Sequence, residues 1–163
     1  MPEIDLSDVS DLDMKPDEMD EMEIDELFQM AVGDFNGGDL QSVKTSYFMF
    51  KKIVERNPKF KEDDGDNPFY YMGRIHEHYL DEIDAAIQYY TRSLELSPND
   101  PDSIENRGIC RLRKKQYEMA LKDLRKAKRL GGSPFDRDLD GIIKETKNRL
   151  NGGKPNKDYD EYF

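Results

Sequence analysis

Two stretches of this chain repeat one another at an offset of about 34 residues, and no other feature of the sequence constrains the fold as much. Gly73 and Gly108 lie 35 positions apart, while Ala86 and Ala120, and Tyr90 and Leu124, lie 34 apart. Each stretch holds a first apolar-periodic run with a small residue midway, a short polar turn and a second run. In the second runs Ile83, Ala86, Tyr90 and Ser93, then Tyr117, Ala120, Leu124 and Ala127, fall at i, i+3, i+7 and i+10. That spacing marks one face of an α-helix, so each stretch predicts a pair of helices. A more divergent copy comes earlier, over 23–58. Leu27, Met30 and Ala31 mark its first helix, Gly37-Gly38 its turn, and Leu40, Val43, Tyr47 and Phe50 repeat the rhythm in its second. Helix pairs this short cannot bury an apolar stripe alone and must stack on neighbours, about three being the minimum.

The units resemble the tetratricopeptide repeat, a helix–turn–helix of about 34 residues. Phe69, Met72, Gly73, Ala86, Tyr90 and Pro98 carry the resemblance in one unit; Ile104, Gly108, Tyr117, Ala120 and Ala127 carry it in the next. Gly73, Gly108, Ala86 and Ala120 are small where two helices of one unit would cross closely. The resemblance implies an all-α chain, a right-handed α-solenoid of three units (23–58, 67–99 and 101–132) closed by a C-terminal capping helix over 134–150. For that helix Ser133 is the expected N-cap and Pro134 the first-turn proline. Leu139, Ile142, Ile143, Thr146 and Leu150 form its stripe, and Gly152-Gly153 stop it. Residues 151–163 lack periodicity and are expected to be disordered. Residues 1–22 alternate acids with Ile4, Leu6, Val9, Leu12 and Met14, and are expected to be a largely disordered acidic head.

Charge divides the chain sharply. There are 25 Lys and Arg against 36 Asp and Glu, a net charge of −11. Residues 1–27 hold twelve acids and one base, Lys15, so the remaining residues balance at 24 of each sign. Within them, residues 107–129 carry ten bases and two acids. This basic run predicts a docking patch of Arg107, Arg111, Lys114, Lys115, Lys122, Arg125, Lys126 and Arg129 for an acidic protein ligand, which includes the chain's own head as an intramolecular partner. Few aromatics interleave with these bases and the chain is net acidic, which argues against nucleic acid.

Several classes of function are excluded by what is missing. No apolar run approaches the ~18 residues of a membrane span, and the acidic start lacks the basic-then-apolar pattern of a secretory leader. The single cysteine, Cys110, permits no internal disulfide and fits a reducing, cytoplasmic setting. His76 and His78, two apart on a helix, face different ways and cannot grip one metal. Cys110 falls on a helix seam and reads as a structural thiol. Gly37-Gly38 and Gly131-Gly132 lack the following Lys-Ser/Thr of a phosphate loop. The expectation is therefore a non-enzyme with no cofactor and no metal.

The resemblance implies that first helices line a concave groove that holds peptides. By position, Phe28, Val32 and Phe35 would line it from the first unit, Tyr70, Tyr71, Arg74 and His78 from the second, and Asn106, Ile109, Leu112 and Arg113 from the third. The Lys–Asn–Arg carboxylate clamp of the heat-shock-chaperone-binding members is not matched. Phe28, Val32, Tyr71, Asp102 and Asn106 stand at clamp positions. The expected function is a non-enzymatic interaction module or adaptor that binds a peptide segment of a partner protein. Two alternatives accompany it. One is a small chaperone for a dedicated client, similar in size and layout to secretion chaperones. The other is a structural subunit that assembles through the acidic head and the basic third repeat.

Overall fold

The computed structural model describes residues 4–131 and 137–163. Among them the chain is all-α: α1 (Pro16–Glu21), α2 (Ile24–Gly37), α3 (Leu40–Arg56), α4 (Pro68–His78), α5 (Ile83–Leu96), α6 (Pro101–Arg113), α7 (Tyr117–Arg129) and α8 (Leu139–Leu150), followed by a 3-10 helix, Lys157–Tyr162. The helices group into two compact units, Met1–Glu82 and Ile83–Phe163.

In the first unit, α2 and α3 pair around a stripe in which Leu27, Phe28 and Ala31 meet Val43, Phe50 and Ile53, all buried. The turn works because Gly38 takes a left-handed φ of 77° and Asp39 then caps α3, accepting from the Ser42 amide at 2.9 Å. Two expected core positions are corrected: Met30 is 40% exposed and Leu40 38%. Met30 lies on the flank of the stripe set by Leu27, Ala31 and Phe35, and Leu40 sits in the first turn of α3, outside the packed length of the pair.

The head is corrected as well, since it is ordered on α3 from Ile4 onward. Its apolar residues recur often enough to anchor it: Ile4, Leu12 and Met19 are buried while most of its acids face outward. The backbone N–H of Asp13 donates to Thr45 Oγ1 at 3.1 Å, and Arg56 Nη1 donates to the carbonyls of Met19 and Met22 at 3.2 and 2.8 Å. Lys44 pairs with Asp11 at 2.7 Å and Lys52 with Asp20 at 3.0 Å. Alternation of acid and apolar residues, which reads as disorder in isolation, becomes a strap once a cationic helix face is supplied.

In the second unit, α6 and α7 cross tightly at Gly108, where a Cβ would stand 3.0 Å from Leu124 Cδ2. Ala120, Leu124, Ala127 and the Cys110 thiol are fully buried. α8 turns Leu139, Ile142, Ile143 and Thr146 inward, but Leu150 is 38% exposed in its last turn and does not extend the stripe. Its N-cap is Asp138, whose Oδ1 accepts from the Gly141 amide at 2.9 Å. The expected cap Ser133 and first-turn Pro134 lie outside the described residues. The expectation of disorder over 151–163 is corrected: Lys157–Tyr162 is helical and packs on α6 and α8, because Tyr159, Tyr162 and Phe163 find an apolar floor there.

Candidate peptide-binding surfaces

In the first unit, α4 begins at the Asn67 cap with Pro68 in its first turn. That start sets the phase of Tyr70, Tyr71 and Arg74. Tyr71 turns inward, stacking on Phe50 (4.9 Å between centroids, 8°) and meeting Phe28 and Phe35 edge-on at 6.0 and 5.3 Å. Its hydroxyl donates to Asp66 Oδ2 at 2.7 Å. Burial first, and the Asp66 carboxylate second, push the Tyr71 phenol well above its ordinary pKa. Phe28, packed on Phe50 and Phe60, is equally enclosed. Phe28, Phe35 and Tyr71, all buried, are thus core residues and not groove residues, because the ring cluster at the centre of this unit needs all three.

The edge of that cluster is different. Tyr70 and Arg74 are half-buried, and Arg74 Nη1 donates to the Tyr70 hydroxyl at 3.1 Å. The same guanidinium lies 5.6 Å from the Phe35 ring centre and 5.9 Å from that of Tyr70. Val32, half-buried, precedes Phe35 by one turn of α2, and His78, exposed, follows Arg74 by one turn of α4. The fold therefore brings Phe35, Tyr70 and Arg74 together as a cation held between two rings, with Val32 and His78 on the same two helices.

In the second unit, the expected groove residues Asn106, Ile109 and Leu112 are corrected to buried positions. Asn106 Oδ1 accepts from Arg137 Nη1 at 3.0 Å, and the same nitrogen pairs with buried Glu105 at 2.7 Å. Ile109 and Leu112 belong to a core cluster with Leu121, Leu139, Ile142 and Ile143, against which Tyr159, Tyr162 and Phe163 pack. Side chains from α7, α8 and the 157–163 segment close over Ile109 and Leu112 and leave them almost no solvent face. Arg113 is half-buried at the end of α6.

The basic patch also divides. Arg107 and Arg111 turn inward onto buried Asp123: Arg107 by a two-point bond at 2.9 Å each, Arg111 Nη1 at 2.5 Å. Those two expected docking residues are corrected to an internal clamp, since a carboxylate buried between α6 and α7 requires them. Lys114 pairs with Asp84 at 2.8 Å and Lys126 donates to the Pro98 carbonyl at 2.6 Å. Lys115, Lys122, Arg125 and Arg129 are exposed, the last three on one face of α7.

His76 is buried with Nδ1 2.8 Å from Glu82, and burial lowers its pKa, an effect that Glu82 opposes. Among the described residues no group of three metal-ligating side chains occurs. Sequence reasoning missed Asp66, Arg137, Tyr159, Tyr162 and Phe163. The signal for the last three was present in the alternation of rings and acids within residues 154–163.

Residues 69–100 and 89–122 match family models described as tetratricopeptide repeat. Over 103 residues the chain is 31% identical to the Protein SGT1 homolog of Bos taurus, an alignment that covers 63% of this chain. The chain spans 30% of that relative's length. Among solved structures it is similar to the Yersinia enterocolitica type III secretion translocator chaperone SycD, with a TM-score of 0.64 and 15% identity over 82% of this chain and 91% of that one. SycD in complex with a peptide of the translocator YopD gives a TM-score of 0.61 at 14% identity, over 78% and 94% of the two chains. At these identities the likeness shows the fold, an all-helical solenoid type.

Proposed function

Given that this chain is built on tetratricopeptide repeats, we propose that it is a non-enzymatic adaptor that captures a peptide segment of a partner protein. The observation that carries the reading is the Phe35–Tyr70–Arg74 arrangement at the edge of the ring cluster. The half-buried Tyr70 ring, backed by buried Phe35, offers contact area at low entropic cost, and the Arg74 guanidinium places a positive charge at the rim of the cluster. Repeats of this kind that hold peptides, together with the peptide complex of SycD, support this mode of binding. A second reading, a small chaperone for a dedicated client, is favoured by the 91% coverage of the SycD chain. Assembly through the acidic head loses its motive, because α3 already engages the head. Among the described residues no helix is long and apolar enough to cross a membrane; we place the chain in the cytoplasm on the ground of its single buried cysteine, which suits a reducing compartment.

The test is a quantitative pull-down with the intact chain. The pair Tyr70→Ala and Arg74→Ala is expected to lose partners at least tenfold, whereas Lys122→Glu with Arg125→Glu keeps them. Retention of the same partners by the first pair, and their loss by the second, would move the site to α7.

A further inference from the structure

The geometry points to a second peptide-docking surface, in the unit Ile83–Phe163. The chain's own segment Lys154–Phe163 occupies it, and a partner segment of the same chemistry, acidic residues set between aromatic anchors, displaces that segment. The inference stands apart from the Phe35–Tyr70–Arg74 reading and does not rest on it.

The floor of this surface is built by α6, α7 and α8. Leu112 and Ile142 are fully buried in their common cluster, the segment rests on it from outside, and the 3-10 helix contributes no buried residue of its own. Tyr159, Tyr162 and Phe163 are each only half-buried where they rest on that floor. Three large rings held on one side and wet on the other are bound as a ligand is bound, in contrast to the enclosed stripe of α8. The polar contacts have the same character. Arg149 places its guanidinium 4.0 Å over the Phe163 ring while its Nη2 donates to Asp160 at 2.5 Å, so one cation reads an aromatic and an acid together. Tyr117 meets Phe163 at 6.0 Å, and the Tyr159 hydroxyl donates to Asp138 Oδ2 at 2.7 Å. Glu145 orients the clamp, accepting from Arg149 Nε at 2.8 Å and from the Asn156 amide at 2.9 Å.

Two glycines fit the arrangement. Gly152 adopts a left-handed φ of 72°, reversing the chain after α8 so that the segment returns over it. Gly141 leaves the space that the Tyr159 hydroxyl fills, and a Cβ there would collide with it. Because the connection is short, the tethered segment competes at an effective concentration on the order of millimolar. Only a partner segment with the same ring-and-acid pattern and more contacts displaces it, so self-occupancy sets a threshold for binding.

The probe is a fluorescent synthetic peptide of residues 154–163, titrated by anisotropy into the full chain. The chain carrying Tyr162→Ser and Phe163→Ser is expected to bind it at least tenfold more tightly than the unaltered chain. Adding Arg149→Ala to that variant should cost about tenfold, and a scrambled peptide should not bind. Equal affinity for the two chains, absence of binding to the double variant at unchanged helical content and Tm, or equal binding of the scrambled peptide would each show the segment to be a fixed cap. Should the double variant lose helical content, Asp160→Ala, which removes the tethered segment's own pairing with Arg149 and leaves every receptor side chain in place, serves as the receptor under the same criteria. Tyr70→Ala with Arg74→Ala leaves this titration unchanged, so the two surfaces fail or stand separately.

Discussion

The acidic head and the basic repeat carry opposite charge at high density, yet the fold uses the two charges in opposite ways. In the head, the acids stay at the surface. Asp11 and Asp20 reach Lys44 and Lys52, most of the others face water, and Ile4, Leu12 and Met19 hold the segment down. In the repeat, the cations that matter most point inward, Arg107 and Arg111 onto Asp123, while Arg137, from beyond the repeat, meets Glu105. Charge density along a sequence therefore says little about an electrostatic surface. A run of acids becomes a strap because apolar residues punctuate it, and a run of bases becomes partly a core because the buried Asp123 carboxylate demands partners.

That contrast can be broken experimentally. Asp123→Ala leaves two largely buried guanidiniums without their carboxylate and should cost about 3 kcal/mol in urea unfolding, against less than about 1 kcal/mol for Asp20→Ala at its exposed pair. Equal costs would mean that the inward clamp is no different from a surface pair. Met19 is 1% exposed. Met19→Ala should cost about 2 kcal/mol, read locally as faster hydrogen exchange in Pro16–Glu21 with the second unit's exchange unchanged. Raising salt from about 0.05 to 0.5 M shortens the screening length to a few ångströms. It should quicken tryptic cleavage at Lys15 a few-fold while leaving the 157–163 segment, held mainly by rings, protected.

The smallest effect concerns pH. Burial depresses the His76 pKa below its ordinary 6.5, so the unfolded chain binds the proton more readily. The stability contributed by the neutral ring is complete above about pH 6.5 and falls as the pH drops toward the folded value. His76→Gln should flatten the difference in Tm between pH 7.5 and 5.5. A slope that persists in the variant would assign it to another group.

Much of the fold is legible in the sequence alone. The offset between Ala86 and Ala120 and the stripes Val43–Tyr47–Phe50 and Ala120–Leu124–Ala127 announce helix pairs, because helical periodicity is a local property that neighbours cannot rewrite. The close approach at Gly108 was legible for the same reason. The candidate sites were legible only in part. Tyr70 and Arg74 stay at the edge of the ring cluster, but Phe35, Tyr71 and Phe28 turn inward, since successive residues of a helix differ by 100° and packing alone selects which is enclosed.

What the sequence determined by itself is thus the helical repeat, the residues that line its seams and the separation of acid from base. What the tertiary structure alone decided is the fate of the ends and of the charges. Segments 4–22 and 157–163 have too little apolar surface to order themselves, and they order only on floors built by α3 and by α6 with α8. Those floors are assembled from residues distant in the chain, and so no local pattern could reveal them.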